Sequence, residues 1–219
     1  MDNQEIRKKV KEYFHNACSR LNRTRYAQES AYVDALIGRL DGVLDFGDGN
    51  GFIEFTSTIV ADRGAGCAES LYGADFSIVF QSENVSEPIH KAILSQAKNG
   101  TVEGLPKNEV TRLGDQCKKM ARFTNHYIVL EAPDEDGAIP TIRIGTPFSK
   151  SWGKNRMGLD DYFLDLVLSC KHGDKRKDFV GAVTNSKLAG LTVDVNGIEY
   201  TPTPKPRKKN KRNPGNSLG

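Results

Sequence analysis

The residues in this sequence best suited to chemistry are an acid and a Gln-x-Lys triplet on two neighbouring apolar segments. Asp75 directly precedes the apolar run Phe76–Phe80, and Gln96 and Lys98 end the run that starts at Lys91. Because side chains alternate along a strand, Gln96 and Lys98 point to one side, and Asp75 points away from Phe76, Ile78 and Phe80 of its own strand. A carboxylate and an amide supply oxygen ligands for a hard cation, and a lysine beside them can stabilise an anion.

This arrangement resembles the PD-(D/E)xK nuclease superfamily, which is named for an acid at a strand start and an acid-x-lysine on the next strand. Gly73-Ala74-Asp75 stands for the first half of that motif, and Gln96-x-Lys98 stands for the second half. The glutamine departs from the consensus acid, but a Gln-x-Lys form is familiar from the Mrr-like restriction branch. The resemblance covers roughly residues 26–132.

The resemblance implies a divalent cation, Mg²⁺ with Mn²⁺ as a substitute, that neutralises a phosphate oxygen and activates water. Asp75 would be the principal ligand, Gln96 would offer its amide oxygen, and the backbone carbonyl of Ala97 would add another ligand. Lys98 would orient the attacking water and stabilise the charge that builds on phosphate. Because Gln96 is neutral, the resemblance also implies a second acid.

Two residues are candidates for that second acid. Glu69 lies six residues before Asp75 in a short segment with helical character and is the first choice. Glu29, at the start of a predicted helix, is the second choice, because an acid on the first helix is common in the superfamily. The two do not exclude each other.

Each of these residues also has an ordinary structural interpretation. Asp75 can cap the turn before a strand. Gln96 and Lys98 can form a solvent-facing edge. Glu69 and Glu29 can be surface acids.

Hydrophobic periodicity and turn signals predict the elements that position these residues. Helices are predicted over 3–21, 27–40, 108–123 and 159–170, a helical turn over 67–72, and strands over 43–46, 52–60, 73–80, 91–98, 126–130 and 141–145. Gly47–Gly51 is predicted to be a hairpin turn, and Asn196-Gly197 between alternating apolar residues predicts a second hairpin over 191–200. Gln116, on the border of the apolar stripe of helix 108–123, would contact the site or pair with the backbone.

Strands flanked by helices predict a mixed α/β (α+β) fold with a central sheet. The resemblance implies a restriction-endonuclease-like α-β-β-β-α-β core within it. We expect an N-terminal helix over 1–25, a nuclease-like domain with a C-terminal helix and hairpin over 26–200, and a disordered basic tail over 201–219.

The net charge of +3 is unevenly distributed. Six basic residues crowd residues 205–212, and without them 25 basic residues face 28 acidic ones. The tail would attract phosphate without regard to sequence, or it would only aid solubility. The candidate contacts to nucleic acid are Lys118, Lys119 and Arg122 on helix 108–123 and Lys208 and Lys209 in the tail.

Composition narrows the class of protein further. The four cysteines lie about fifty residues apart, which argues against a zinc cluster or a disulfide framework and predicts reduced thiols. No apolar run reaches the roughly 20 residues that span a bilayer, and the polar N-terminus does not resemble a signal peptide. We therefore expect a cytoplasmic protein that does not associate with membranes.

The resemblance implies a Mg²⁺-dependent nuclease that acts on the DNA backbone. It also implies an effector in restriction or anti-phage defence that acts as a homodimer or as a subunit of a multi-protein complex. The alternative is a catalytically inactive nuclease fold that binds nucleic acid or a partner protein. The neutral Gln96 is the feature that favours this alternative. A third hypothesis is an assembly subunit in which the motif is fortuitous, and it requires Asp75, Gln96 and Lys98 to lie apart.

Overall fold

A computed structural model of the chain describes residues 2–60, 68–83 and 88–202. These residues form six α-helices: α1 (Asn3–Cys18), α2 (Glu29–Leu40), α3 (Ala68–Tyr72), α4 (Lys107–Phe123), α5 (Leu159–Tyr162) and α6 (Lys177–Thr184). A π-helical segment, Phe163–Leu168, continues α5, and short 3₁₀ turns span Arg23–Arg25 and Val102–Gly104. They also form nine strands: β1 (Gly42–Asp45), β2 (Phe52–Thr58), β3 (Phe76–Ser82), β4 (Ile89–Asn99), β5 (Tyr127–Ala132), β6 (Thr141–Thr146), β7 (Ser151–Trp152), β8 (Met157–Gly158) and β9 (Ala189–Asn196).

The strands form one mixed sheet in the order β1-β2-β9-β3-β4-β5-β6-β7, with β8 also paired to β6. β3 is antiparallel to β4 and parallel to β9, and β4 is parallel to β5, to which it is joined through α4. A parallel pair needs such a crossover, and a helix that packs on the sheet supplies it. The predicted mixed α/β class is therefore confirmed.

Two apolar cores lie on the two faces of the sheet. The first core joins α1, α2, α5 and its π-helical extension to side chains of alternate sheet positions such as Phe76, Ile93 and Ile128. The second core joins α3, α4 and α6 to the opposite positions, such as Val79 and Leu94. The molecule is thus a three-layer sandwich in which β3, β4 and β5 are buried on both faces.

The predicted elements before residue 171 are found close to their expected bounds, and Gly47–Gly51 is the turn between β1 and β2. The predicted hairpin over 191–200 is wrong, because β9 ends at Asn196 and Ile198–Tyr200 is not a strand. β9 pairs with β2 on one side and β3 on the other, so a returning strand has no edge to join. Helix α6 was not predicted, and residues 203–219 of the predicted basic tail lie outside the described residues.

The turn after β9 meets the β1–β2 turn at a backbone contact that requires glycine. Gly51 has φ +99°, and a Cβ added there would lie 2.1 Å from the Asn196 carbonyl oxygen and 2.7 Å from Gly197 Cα. Gly49, in the same turn with φ +73°, faces open space. Both glycines therefore have a left-handed backbone conformation, but only Gly51 contacts the turn after β9.

We predict that Gly51→Ala lowers the free energy of unfolding by about 3 kcal/mol, since it adds a backbone clash to the left-handed strain. Gly49→Ala, the matched control, should cost only about 1 kcal/mol, the cost of the left-handed conformation for an L-residue. Urea denaturation of both variants measures the difference. Equal losses would contradict the contact between the two turns.

Candidate active site

The candidate site lies where β4 extends past the start of β3. The pairing of these strands begins with Phe76 opposite Ser95, so Gln96–Asn99 have no strand on that side. Backbone groups alternate in direction along a strand, and the N–H groups of Ala97 and Asn99 point into the gap. A buried N–H needs an acceptor, and the gap supplies carboxylates instead of a strand.

Asp75 fills the first part of the gap. Its Oδ2 accepts a hydrogen bond from the Ala97 N–H at 2.7 Å and a second from the Gln96 side-chain amide. Its own N–H donates to the Ser95 carbonyl at 2.8 Å. The predicted convergence of Asp75 and Gln96 is therefore present in the structure.

Glu29, at the first turn of α2, fills the second part of the gap. Its Oε1 accepts from the Asn99 N–H at 3.3 Å, and its Oε2 accepts from Lys98 Nζ at 2.9 Å. The Lys98 side chain is completely buried, and a second carboxylate, that of Glu109 on α4, lies 3.7 Å from its Nζ. Lys98 is thus not on a solvent-facing edge, and two acids from two helices position it.

Gln96 is 1% exposed, and its amide is only half satisfied. Its Nε2 donates to Asp75 and, at 3.1 Å, to the Ala97 carbonyl. Its Oε1 has no hydrogen-bond partner within the described part of the chain. A buried amide oxygen without a donor is costly in a folded protein, and it is the kind of group that a cation can satisfy.

A polar cleft of about 650 Å³ opens beside this amide. It is lined by Glu69 and Ser70 of α3, by Gly73, Asp75 and Gln96, and by Asn108, Thr111, Arg112, Asp115, Gln116 and Lys119 of α4. The Gln116 Oε1 is also buried without a described partner. Glu69 therefore lies at the cleft, while Glu29 lies at the Lys98 end of the gap.

Gly73 allows a close contact between α3 and α4 beside the cleft. It has φ +72°, and a Cβ there would lie 2.8 Å from Lys119 Cβ and 2.9 Å from the Gln116 carbonyl oxygen. The glycine before Ala74-Asp75 thus lets the end of α3 lie directly against α4. This contact brings Glu69 to the same cleft as Asp75.

The candidate contacts to nucleic acid are distributed unevenly around the cleft. Lys119 lines it and donates to the Ser70 carbonyl at 3.3 Å, whereas Lys118 is exposed and pairs with Asp115 at 2.9 Å. Arg122 is exposed near the end of α4, and Lys208 and Lys209 lie outside the described residues. Sequence reasoning missed Asn108, Arg112 and Asp115, although their spacing marks one polar face of α4.

The charge of Asp75 is disfavoured where it lies. Burial raises the pKa of its carboxyl to about 6, although the Ala97 N–H and the Lys98 ammonium both act to lower it. The Glu29 carboxylate adds to the increase. A cation in the cleft would relieve this cost by favouring the ionised form.

Among residues 2–60, 68–83 and 88–202, no group of three or more His, Cys, Asp or Glu side chains is arranged to hold a metal ion. A cation at Asp75 would therefore depend on amide and backbone oxygens as well as on carboxylates. Cys18, Cys117 and Cys170 are free thiols, as predicted, and burial raises the pKa of Cys117 to about 12. Cys67 lies outside the described residues.

No helix in the described ranges is long and apolar enough to cross a membrane. Comparison with known proteins identifies no relative: no family model, no curated protein and no solved structure matches the chain. The chemistry of the site must therefore be inferred from its own geometry.

We predict that Asp75→Asn, measured in EDTA, becomes more stable relative to wild type as the pH rises from 4 to 7.5. The folded-state pKa of about 6 lies above the ordinary aspartate value of 3.8, so the stability that protonated Asp75 contributes is complete below about pH 4 and is lost as the pH rises through 6. The relative gain should be about 1 to 3 kcal/mol. Urea denaturation at several pH values measures it.

Asp41→Asn is the control with the opposite sign. The Ser57 N–H and hydroxyl each donate to Asp41 Oδ2 at 2.7 Å and lower the pKa of that carboxyl. This variant should therefore lose stability relative to wild type as the pH rises. Parallel stability curves for wild type and Asp75→Asn would contradict the burial of the Asp75 charge.

We predict that Glu29→Gln lowers the free energy of unfolding by about 2 to 4 kcal/mol, because it leaves the buried Lys98 ammonium without its closest partner. Glu109→Gln, which removes the more distant partner, should cost less. The double variant Glu29→Gln/Lys98→Met should recover part of the loss, since no buried charge remains. Chemical denaturation gives all three values, and a change below about 0.5 kcal/mol for Glu29→Gln would show that the pair has no structural role.

Proposed function

We propose that the chain is a metal-dependent nuclease that hydrolyses phosphodiester bonds of DNA with a PD-(D/E)xK-type site. One observation carries the proposal: Asp75 and Gln96 meet at the uncovered end of β4, and the buried Gln96 Oε1 lacks a described donor beside a polar cleft. An amide oxygen held next to a carboxylate suits a hard cation.

The residues present fit Mg²⁺ or Mn²⁺. The candidate ligands are the Asp75 carboxylate, the Gln96 amide oxygen and the Ala97 carbonyl, with Glu69 at the same cleft as the second acid. All are oxygen donors, and Mg²⁺ needs only one or two carboxylates because it keeps several waters. When bound, such an ion would neutralise a phosphate oxygen and lower the pKa of a bound water.

Lys98 is proposed to act on the phosphate. Its ammonium is close enough to Asp75 to lower the pKa of that carboxyl, and it is held by Glu29 without access to solvent. A fixed ammonium stabilises developing negative charge more effectively than a mobile one, because it need not reorganise during the reaction. We assign Glu29 the role of positioning Lys98, while Arg112 and Lys119 at the cleft are suited to bind flanking phosphates.

The proposed α-β-β-β-α-β core consists of α2, β2, β3, β4, α4 and β5. Its strands are not consecutive in the sheet, because β9 lies between β2 and β3. An effector in restriction or anti-phage defence, alone or within a complex, remains the proposed setting. Its basis is the resemblance in the Asp75…Gln96-x-Lys98 motif.

The second candidate function is a catalytically inactive module that binds nucleic acid. A specific observation favours it: the charged groups of the site already have hydrogen-bond or ion-pair partners within the fold. Asp75 Oδ2 accepts two hydrogen bonds from β4, and Lys98 is paired with Glu29. These internal partners can hold the site together without a metal, as an inactive module would require.

A cleavage assay on supercoiled plasmid, linear duplex and single-stranded DNA distinguishes the two. With Mg²⁺ or Mn²⁺ we expect cleavage that EDTA abolishes, and Lys98→Ala and Asp75→Ala should each reduce the rate about 10²-fold or more. Lys8→Ala, which removes an exposed lysine on α1, is the matched control and should leave the rate unchanged. Circular dichroism confirms that each variant is folded.

Mg²⁺ titration of the full chain by calorimetry provides the second measurement. Asp75→Ala should abolish binding, and Gln96→Glu should strengthen it, because the substitution adds a negative charge to the ligand set. Cleavage at equal rates by wild type and Lys98→Ala would refute the proposed mechanism. Binding of DNA without cleavage under any of these conditions would establish the inactive module.

A further inference from the structure

A basic hairpin with an exposed aromatic tip forms the edge of the sheet next to α4. We call residues 146–156, which run from the end of β6 through β7 toward β8, the edge hairpin. It contains three basic residues and no acid. Phe148, at its tip, has a relative exposure of 103%, against 60% or less for the other exposed large apolar residues of the described chain.

The stem of the edge hairpin is held rigidly by buried side chains. The Tyr127 hydroxyl donates to the Ser151 carbonyl at 2.7 Å, and Trp152 packs against the second core. Arg143, which is 2% exposed, donates from Nη1 to the carbonyls of Gly153 and Lys154 at 3.3 and 3.1 Å. The same guanidinium is fixed by Glu131 at 2.8 Å, so the anchor itself cannot move freely.

The tip is also ordered by its own hydrogen bonds. The Lys150 N–H donates to the Pro147 carbonyl at 3.3 Å, and the Thr146 and Ser149 hydroxyls lie 2.6 Å apart. Phe148 lies inside this turn and makes no ring contact with another aromatic residue of the described chain. A rigid turn thus presents a phenyl ring to solvent, which lowers the entropic cost of binding a partner.

The charges of the edge hairpin match a phosphate backbone. Lys150 and Lys154 are exposed and form no ion pair within the described ranges, and Arg156 is 47% exposed with Glu131 at 3.9 Å. The edge hairpin and the cleft lie on the same face of the sheet, because β7 packs against α4 and α4 lines the cleft. Exposed cations of α4 therefore lie in the same layer as both.

We propose that the edge hairpin binds an unpaired segment of DNA, with a base stacked on Phe148 and the adjacent phosphates on Lys150 and Lys154. An aromatic ring beside cations is how proteins hold single strands, because every base offers a face for stacking. A single phenyl ring buries too little apolar area to anchor a protein in a membrane. The inference rests on the nucleic-acid part of the proposed function and makes the substrate class specific: DNA with single-stranded or frayed segments.

Fluorescence anisotropy in EDTA tests this with the full chain, because no cleavage then occurs. The probes are a labelled single-stranded oligothymidine and a blunt duplex of equal length. Phe148→Ala should weaken binding to the single strand about 5- to 100-fold and binding to the duplex less than twofold, and Phe148→Trp should restore it. Val43→Ala, which truncates an exposed apolar residue on β1 at the opposite end of the sheet, is the matched control and should change neither.

Two further readouts report the mode of binding. The tryptophan fluorescence of Phe148→Trp should change on addition of the single strand, as expected for a stacked indole. Wild type, which contains a single native tryptophan, provides the background signal. Lys150→Ala/Lys154→Ala should weaken binding to both probes and reduce its dependence on salt. None of these substitutions touches the candidate site, so whether a folded Phe148→Ala variant still cleaves DNA reports separately on the nuclease proposal.

The inference is overturned if wild type and Phe148→Ala bind the single strand equally, if neither probe binds, or if the chain binds vesicles of anionic lipid in preference to DNA. Phe148-dependent binding by a chain that never cleaves DNA supports this inference and refutes the nuclease. If Phe148→Ala changes neither cleavage nor affinity for the single strand, the nuclease proposal is supported and this inference is refuted. The two proposals can therefore fail separately.

Discussion

The whole candidate site depends on one mismatch in strand length. β4 extends four residues beyond the start of β3, and the N–H groups of Ala97 and Asn99 are left facing a gap. Backbone donors buried without a partner are costly, so the gap has to be filled by acceptors. The carboxylates of Asp75 and Glu29 fill it, and each brings a negative charge to the buried end of the sheet. A structural requirement of the backbone thus concentrates acids beside Gln96 and Lys98.

This arrangement can serve a structural or a catalytic role. The Lys98 end and the Asp75 end of the gap differ in which role they suit. Lys98 and Glu29 form a direct ion pair, and the Lys98 ammonium is shielded from solvent. The Asp75 end is different, because burial raises the pKa of that carboxyl to about 6 and the Gln96 Oε1 lacks a described donor. A purely structural pair would favour the ionised acid and a satisfied amide. The disfavoured charge of Asp75 and the Gln96 oxygen that lacks a described donor therefore both lie at the cleft, where a substrate and a cation would enter.

The surfaces on the α4 side of the sheet combine buried anchors with exposed cations. Gly73 lets α3 lie against α4, and the polar face of α4 and the edge hairpin present exposed cations. Arg143 and Tyr127, both buried, hold the edge hairpin from beneath. Burial of the anchors and exposure of the tip is the distribution expected of a binding surface on a rigid scaffold.

The sequence predicts α1, α2, α4 and the strands from β1 to β6, because helical and strand spacing is a local property of the chain. It also determined that Gln96 and Lys98 share a face and that Asp75 opposes Phe76. The order of the strands and the contacts between distant residues depend on the tertiary structure. The Asn196-Gly197 signal failed because β9 has neighbours on both sides, and no local pattern reports the order of strands in a sheet. Likewise, Glu29 pairs with Lys98 because α2 packs across the gap, and Glu69 lines the cleft because α3 contacts α4. Residues so distant in sequence meet only through the tertiary fold.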